Sequence, residues 1–132
     1  MCIRDRGGPG DVLVADLSFI SLRTVLHALL GLVVESGHLV VLVKPQFEAG
    51  KADVDRGRGV IRDPAIWTRT LTEVCAAFAA AGAAIMDVMV SPIRGGDGNV
   101  EFLVHAKRGA AAARPLDELV ARALGEVEST DG

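Results

Sequence analysis

Short, wholly apolar runs alternate along this chain with longer stretches of helical periodicity. Val12-Leu13-Val14-Ala15 is apolar at every position, the pattern of a strand covered on both faces. Leu22, Val25, Leu26, Leu29, Leu30 and Val33 then recur at the spacing of an amphipathic helix. Ser21 is placed to cap that helix and Gly37 to stop it. Residues 39–43 form a second apolar strand, closed by Lys44-Pro45. Proline cannot continue a central ladder, and it holds the preceding residue extended. Asp63-Pro64 supplies an N-cap and a first-turn proline. The helix that follows turns Trp67, Leu71, Val74, Cys75 and Phe78 inward and ends at Gly82. Residues 84–90 and 99–106 read as strands three and four. The glycine-rich turn between them, residues 91–98, makes the pair an antiparallel hairpin. An alanine run at residues 110–113 leads to a short helix over 115–124 and an acidic, disordered tail.

Strand, helix, strand, helix, hairpin is an α/β order. It predicts a mostly parallel sheet with an antiparallel C-terminal hairpin at its edge. The first strand is left with one bare edge. The domain is expected over residues 11–108, after a disordered lead of residues 1–10 and before the linker, helix and tail of 109–132. Gly7, Gly8 and Gly10 precede the first strand, so they cannot form a strand–turn–helix cofactor loop.

Composition narrows the picture only a little. Half of the 132 residues are hydrophobic, enough for one domain with a core. A net charge of −3 gives no global footprint for nucleic acid. Cys2 and Cys75 form neither a disulfide framework nor a metal spacing. Cys75 lies on an apolar helical face and reads as a buried free thiol. His27, His38 and His105 lack ligand spacing, so no metal is expected and they read as surface or packing residues. No apolar run approaches the roughly 18 residues of a membrane span, and no signal peptide is visible. The chain reads as cytoplasmic.

Candidate chemistry sits at strand ends. Asp16, Lys44 and Glu101 each stand where an apolar run meets a turn. Charge there is costly unless paired or used, and sites in α/β proteins form at the carboxyl ends of strands. Two carboxylates and a lysine brought together would handle protons. On charge pattern alone a structural ion pair is the better reading. Residues 47–62 form a long loop carrying Lys51, Arg56, Arg58 and Arg62. It reads either as a solvated surface loop or as a mobile flap after a candidate catalytic strand. Gln46 and Glu48 position a substrate or pack the turn. Ser18 and Ser21 read first as helix caps. Asn99 holds the last turn or touches a substrate, and the structural role is the preferred reading.

Three strings carry more. ADLSFISL at residues 15–22, LVKPQFEAGK at 42–51 and SPIRGGDGNVEFL at 91–103 resemble the TlyA family of ribosomal RNA 2'-O-methyltransferases, within the FtsJ-like group. The resemblance covers most of residues 11–107. It implies the C-terminal half of a Rossmann-like methyltransferase sheet that uses S-adenosyl-L-methionine on ribosomal RNA or a ribosomal subunit. It implies a Lys-Asp-Lys-Glu catalytic set, whose last three members match Asp16, Lys44 and Glu101. The first lysine, an RNA-binding domain and the glycine-rich cofactor turn are expected upstream. Met1 to Arg6 match nothing in the family. The chain alone is therefore expected to be inactive.

The resemblance turns the strand-end residues from an ion pair into catalysts. A lysine acts as a base only when neutral, a form that burial or a neighbouring cation favours. Asp16 and Glu101 would orient Lys44 and the ribose hydroxyl. Alignment would supply much of the acceleration. Cofactor contacts are expected from Asp16, Leu17 and Ser18, and substrate contacts from Gln46, Lys51 and Arg58. The competing readings are a non-catalytic remnant binding RNA or a partner, and a membrane-active haemolysin. The second is disfavoured because neither helix has a cationic membrane-binding face.

Overall fold

Alternation along each strand decides which side of the sheet is filled. The computed structural model describes residues 10–16, 22–48, 59–95, 98–109 and 115–131. In β1 (Gly10–Ala15), Leu13 and Ala15 are buried, whereas Val12 and Val14 are 43% and 49% exposed. In β2 (Val33–Val43), Leu39, Val41 and Val43 are buried on the same side. Around these strands run α1 (Leu22–Gly31), the single turn α2 (Pro45–Glu48) and α3 (Pro64–Ala80). β3 (Ala83–Val90), β4 (Phe102–Arg108) and α4 (Leu116–Asp131) complete the described elements. The lead residues 1–9, the expected cap Ser21 and the alanine run lie outside the described residues.

The four strands are ordered β1-β2-β4-β3. β1 and β2 pair in parallel, while β4 is antiparallel to both β2 and β3. Three strands therefore run one way and one runs back. The α/β class and the antiparallel hairpin agree with the sequence reading. The reversed strand, however, is not the edge: it slots between β2 and β3. Phe102, Val104 and Ala106 are each 0% exposed, as a strand paired on both sides allows. Apolar pattern identifies a buried strand without saying which neighbours it takes, so its place in the sheet was not readable.

The first helix and second strand also divide differently from expectation. α1 ends at Gly31, not Gly37, and Leu32 N–H bonds back to Leu29 C=O at 3.1 Å. Val33 had the spacing of a last helical position, but it begins β2 opposite Gly10 and is 0% exposed. The register then jumps to Val12 opposite His38. The extra β2 residues form a bulge in which Ser36 takes a φ of 66°. Gly37 is thus inside a strand.

α3 behaves as predicted. Asp63 accepts from Ala65 N–H at 2.9 Å, Pro64 opens the helix, and Gly82 follows it at a φ of 97° that glycine adopts without strain. α4 runs on past Leu124 through the stretch expected to be a disordered tail. The physical reason is Val127: with Leu119, Val120 and Ala123 it continues one buried stripe.

One apolar cluster joins the buried sides of β1, β2, β4 and β3 to α1, α3 and α4. Phe78 and Phe102 are its largest fully buried side chains. Trp67 meets Phe102 edge-on, with ring centres 6.3 Å apart, and its indole N–H donates to Ile61 C=O at 3.1 Å. Cys75 is 0% exposed, and burial pushes its thiol up to about 12. The opposite side of the sheet is open. There a cavity of about 280 Å³ is lined by Val40, Asp87, Met89, Leu103 and His105. His38 Nδ1 lies 2.8 Å from His105 Nε2 across β2 and β4. Burial, and then the His38 ring, hold His105 below its ordinary value of 6.5, with Asp87 opposing.

Candidate active site

Topology alone gathers the three strand-end residues. β1 and β2 are parallel, so Asp16 and Lys44 leave the same end of the sheet. β4 is reversed, so Glu101, which precedes it, enters at that end too. Val43 and Phe102 are the last β2–β4 pair, and Lys44 and Glu101 are the residues just beyond it.

The side chains follow the backbone. Lys44 Nζ lies 2.5 Å from Asp16 Oδ1. Lys44 and Glu101 are buried, while the Asp16 side chain is half exposed. Lys44 is held by the turn after it: Phe47 N–H and Glu48 N–H both bond to its carbonyl, at 2.8 and 3.2 Å. Pro45 starts that turn and Glu48 ends it, both buried. An ion pair with one half-exposed member contributes little stability. Its importance lies in fixing the amine.

Glu101 is clamped from several sides. Its carboxylate accepts from Gln46 Nε2 at 3.1 Å. Its backbone carbonyl accepts from Ser91 N–H at 2.8 Å. Gly95 backs the carboxylate so closely that a methyl group there would overlap it. Gly95 is itself held by N–H donation to Asn99 C=O at 2.8 Å. Asn99, 3% exposed, spends its side chain on the chain before α3. Its Oδ1 accepts from Ile61 N–H and its Nδ2 donates to Gly59 C=O, both at 2.9 Å. Asn99 is the structural residue the sequence suggested, and it ties Glu101's approach to residues 59–61.

Gln46 has a second feature. A carboxylate only accepts, so the amide nitrogen must face Glu101 and the amide oxygen must face away. That oxygen, Oε1, is buried with no partner among the described residues. An unpaired buried acceptor costs about 1–3 kcal/mol.

Of the predicted site residues, the structure brings Asp16, Lys44, Gln46 and Glu101 to one end of the sheet. Leu17, Ser18, Lys51 and Arg58 lie outside the described residues. Sequence reasoning missed Gly95, because a glycine pair in a turn string looks like turn chemistry. It also missed the contact between His38 and His105, 67 residues apart and on separate strands.

The structure is an α/β fold with a mixed four-stranded sheet, and it gathers two acids and a lysine at the carboxyl ends of the parallel strands. The chain belongs to the FtsJ-like methyltransferase family, whose model matches residues 3–108. The chain is 42% identical over 123 residues to the 16S/23S rRNA (cytidine-2'-O)-methyltransferase TlyA of Mycobacterium tuberculosis, covering 91% of this chain and 46% of that one. It is similar to Hemolysin A of Brachyspira hyodysenteriae at 35% identity, covering 71% of this chain and 39% of that one. A solved candidate hemolysin from Streptococcus thermophilus superposes with a TM-score of 0.81 at 37% identity, covering 94% of this chain and 46% of that one. The chain thus spans about half the length of the curated relatives it matches. No helix among the described residues is long and apolar enough to cross a membrane.

Proposed function

We propose that this chain supplies the acceptor side of a methyl transfer to the ribose 2'-hydroxyl of ribosomal RNA. The observation that carries the reading is Lys44, buried and paired to Asp16 at the end of the sheet where Glu101 enters, in a chain of the FtsJ-like methyltransferase family. The relative named for cytidine 2'-O-methylation supports the substrate class.

The ribose hydroxyl is a poor nucleophile until it is aligned and its proton is taken. Lys44 Nζ is the group placed to take that proton in its neutral form. Asp16 holds the amine from one side. Glu101, fixed by Gln46 and Gly95, orients the hydroxyl. Because these side chains are already held, little ordering remains for the reacting step.

S-adenosyl-L-methionine would supply an activated methyl group. The half-exposed Asp16 carboxylate, at the carboxyl end of β1, suits a contact to a hydroxyl or ammonium group of such a cofactor. Leu17 and Ser18 would extend that contact, and Lys51 and Arg58 would meet RNA phosphate. The test is a chimera in which residues 11–108 replace the matching segment of the mycobacterial relative. Methyl transfer to ribosomal RNA, mapped by mass spectrometry to a ribose oxygen, is the expected result. A folded chimera that binds cofactor and RNA yet methylates neither ribose nor base would remove the reading.

A further inference from the structure

We infer that Gln46 has two roles set by the two ends of its amide: a positioning residue for Glu101, and an acceptor for a neutral hydrogen-bond donor of the bound nucleotide. This rests on the nucleotide-binding reading above and deepens it.

The nitrogen end is assigned by chemistry. Glu101 offers only acceptors, so Nε2 donates to Oε2 at 3.1 Å. The same oxygen, Oε2, lies close against Gly95, where any side chain would displace it. The backbone around it is held independently by Ser91 N–H. What remains adjustable is the carboxylate's orientation, and the Gln46 amide sets it.

The oxygen end follows from the same orientation. Oε1 is turned away from Glu101, buried, and without a partner among the described residues. Buried acceptors are almost always paired, so an orphan next to a candidate catalytic carboxylate has the character of a ligand contact. Gln46 is the second residue of a turn whose N–H groups grip the Lys44 carbonyl. A donor that reaches Oε1 is therefore registered against Lys44 and Glu101 together. The site already holds one cation and two carboxylates, so a neutral donor adds no charge that needs a new partner. A ribose hydroxyl and a base amino group share that chemistry.

The experiment uses the isotope-labelled 132-residue chain and three nucleosides, followed by NMR at the Gln46 side-chain amide. Cytidine carries both donors, 2'-deoxycytidine lacks the 2'-hydroxyl, and uridine lacks the amino group. Cytidine should shift the Gln46 signals, and Gln46→Leu should weaken its binding about tenfold. Loss of the response with 2'-deoxycytidine assigns the hydroxyl; loss with uridine assigns the amino group. Cytidine binding that ignores Gln46→Leu, or no response up to the solubility of the nucleoside, overturns the acceptor role. For the positioning role, the Glu101 side-chain couplings should report one rotamer in the wild type and averaged rotamers in Gln46→Leu. Gln46→Glu, which keeps the size and loses the donor, should average them too. Unchanged couplings in both variants, with the amide spectrum still dispersed, overturn it. Cytidine binding through Gln46 without methyl transfer in the chimera would reject the methyltransferase reading and leave the Gln46 assignment standing.

Discussion

The two faces of the sheet share the same strands and have opposite fates. On one side Leu13, Leu39, Val41, Val43, Phe102 and Val104 are at most 1% exposed beneath α1, α3 and α4. On the other, Val12, Val14 and Met89 are 42–49% exposed, and the pair His38–His105 and Asp87 share the surface with them. The contrast separates two things that apolar composition confounds. An all-apolar strand shows that neither face repels a cover. It does not show that the described helices provide one on each.

The largest effect that sharpens the contrast is in the core. Phe102→Ala should cost about 3–5 kcal/mol, because it opens a cavity among residues that cannot close over it. Val14→Ala, one face away, should change stability by no more than about 0.5 kcal/mol. Urea unfolding of the two variants makes the comparison. Similar losses in both would mean that the open face is covered in solution.

A smaller effect concerns association. β1 is an edge strand, with its apolar Val12 and Val14 exposed. Such an edge pairs readily with another copy. The wild-type chain should elute from size exclusion as a concentration-dependent mixture, and Val14→Lys should shift it toward monomer. A strictly monomeric wild type would show that the open face and edge carry no such liability.

The smallest effect is electrostatic. His105 titrates below 6.5 in the folded chain because burial and His38 disfavour its charged form. The folded state therefore binds fewer protons than the unfolded one in the window below 6.5. The histidine's contribution to stability is complete above that pH and declines as pH falls toward the folded midpoint. His105 ring signals should report a depressed midpoint, and Asp87→Asn should depress it further by removing the opposing charge. A midpoint at or above 6.5 would contradict the burial of His105 together with its contact to His38.

How much of this was legible depends on the kind of signal. Asp63-Pro64 and Gly82 set the bounds of α3 because capping is local chemistry, written in adjacent residues. Val33 misled because one apolar position fits both the end of a helix and the start of a strand; only its partner Gly10 decides. Val127 extended α4 through an acidic stretch because tertiary burial outweighs composition. For the site, Asp16, Lys44 and Glu101 were visible as charges at strand ends, and the resemblance singled them out. The support around them was hidden. Gly95 matters for what its missing side chain leaves free, and Gln46 for which way its amide faces. Both depend on contacts 6 to 55 residues apart in sequence.

The central claim is that Lys44, held by Asp16 beside Glu101, acts on the ribose hydroxyl. Tritium transfer from labelled S-adenosyl-L-methionine to ribosomal RNA, measured in the chimera with and without Lys44→Ala, tests it most directly. A general base is typically worth about 10²–10⁴-fold. The variant should lose at least about a hundredfold in transfer while binding cofactor nearly as well as its parent, by calorimetry. Transfer at the parental rate in a Lys44→Ala chimera would contradict the account and leave Lys44 a structural partner of Asp16.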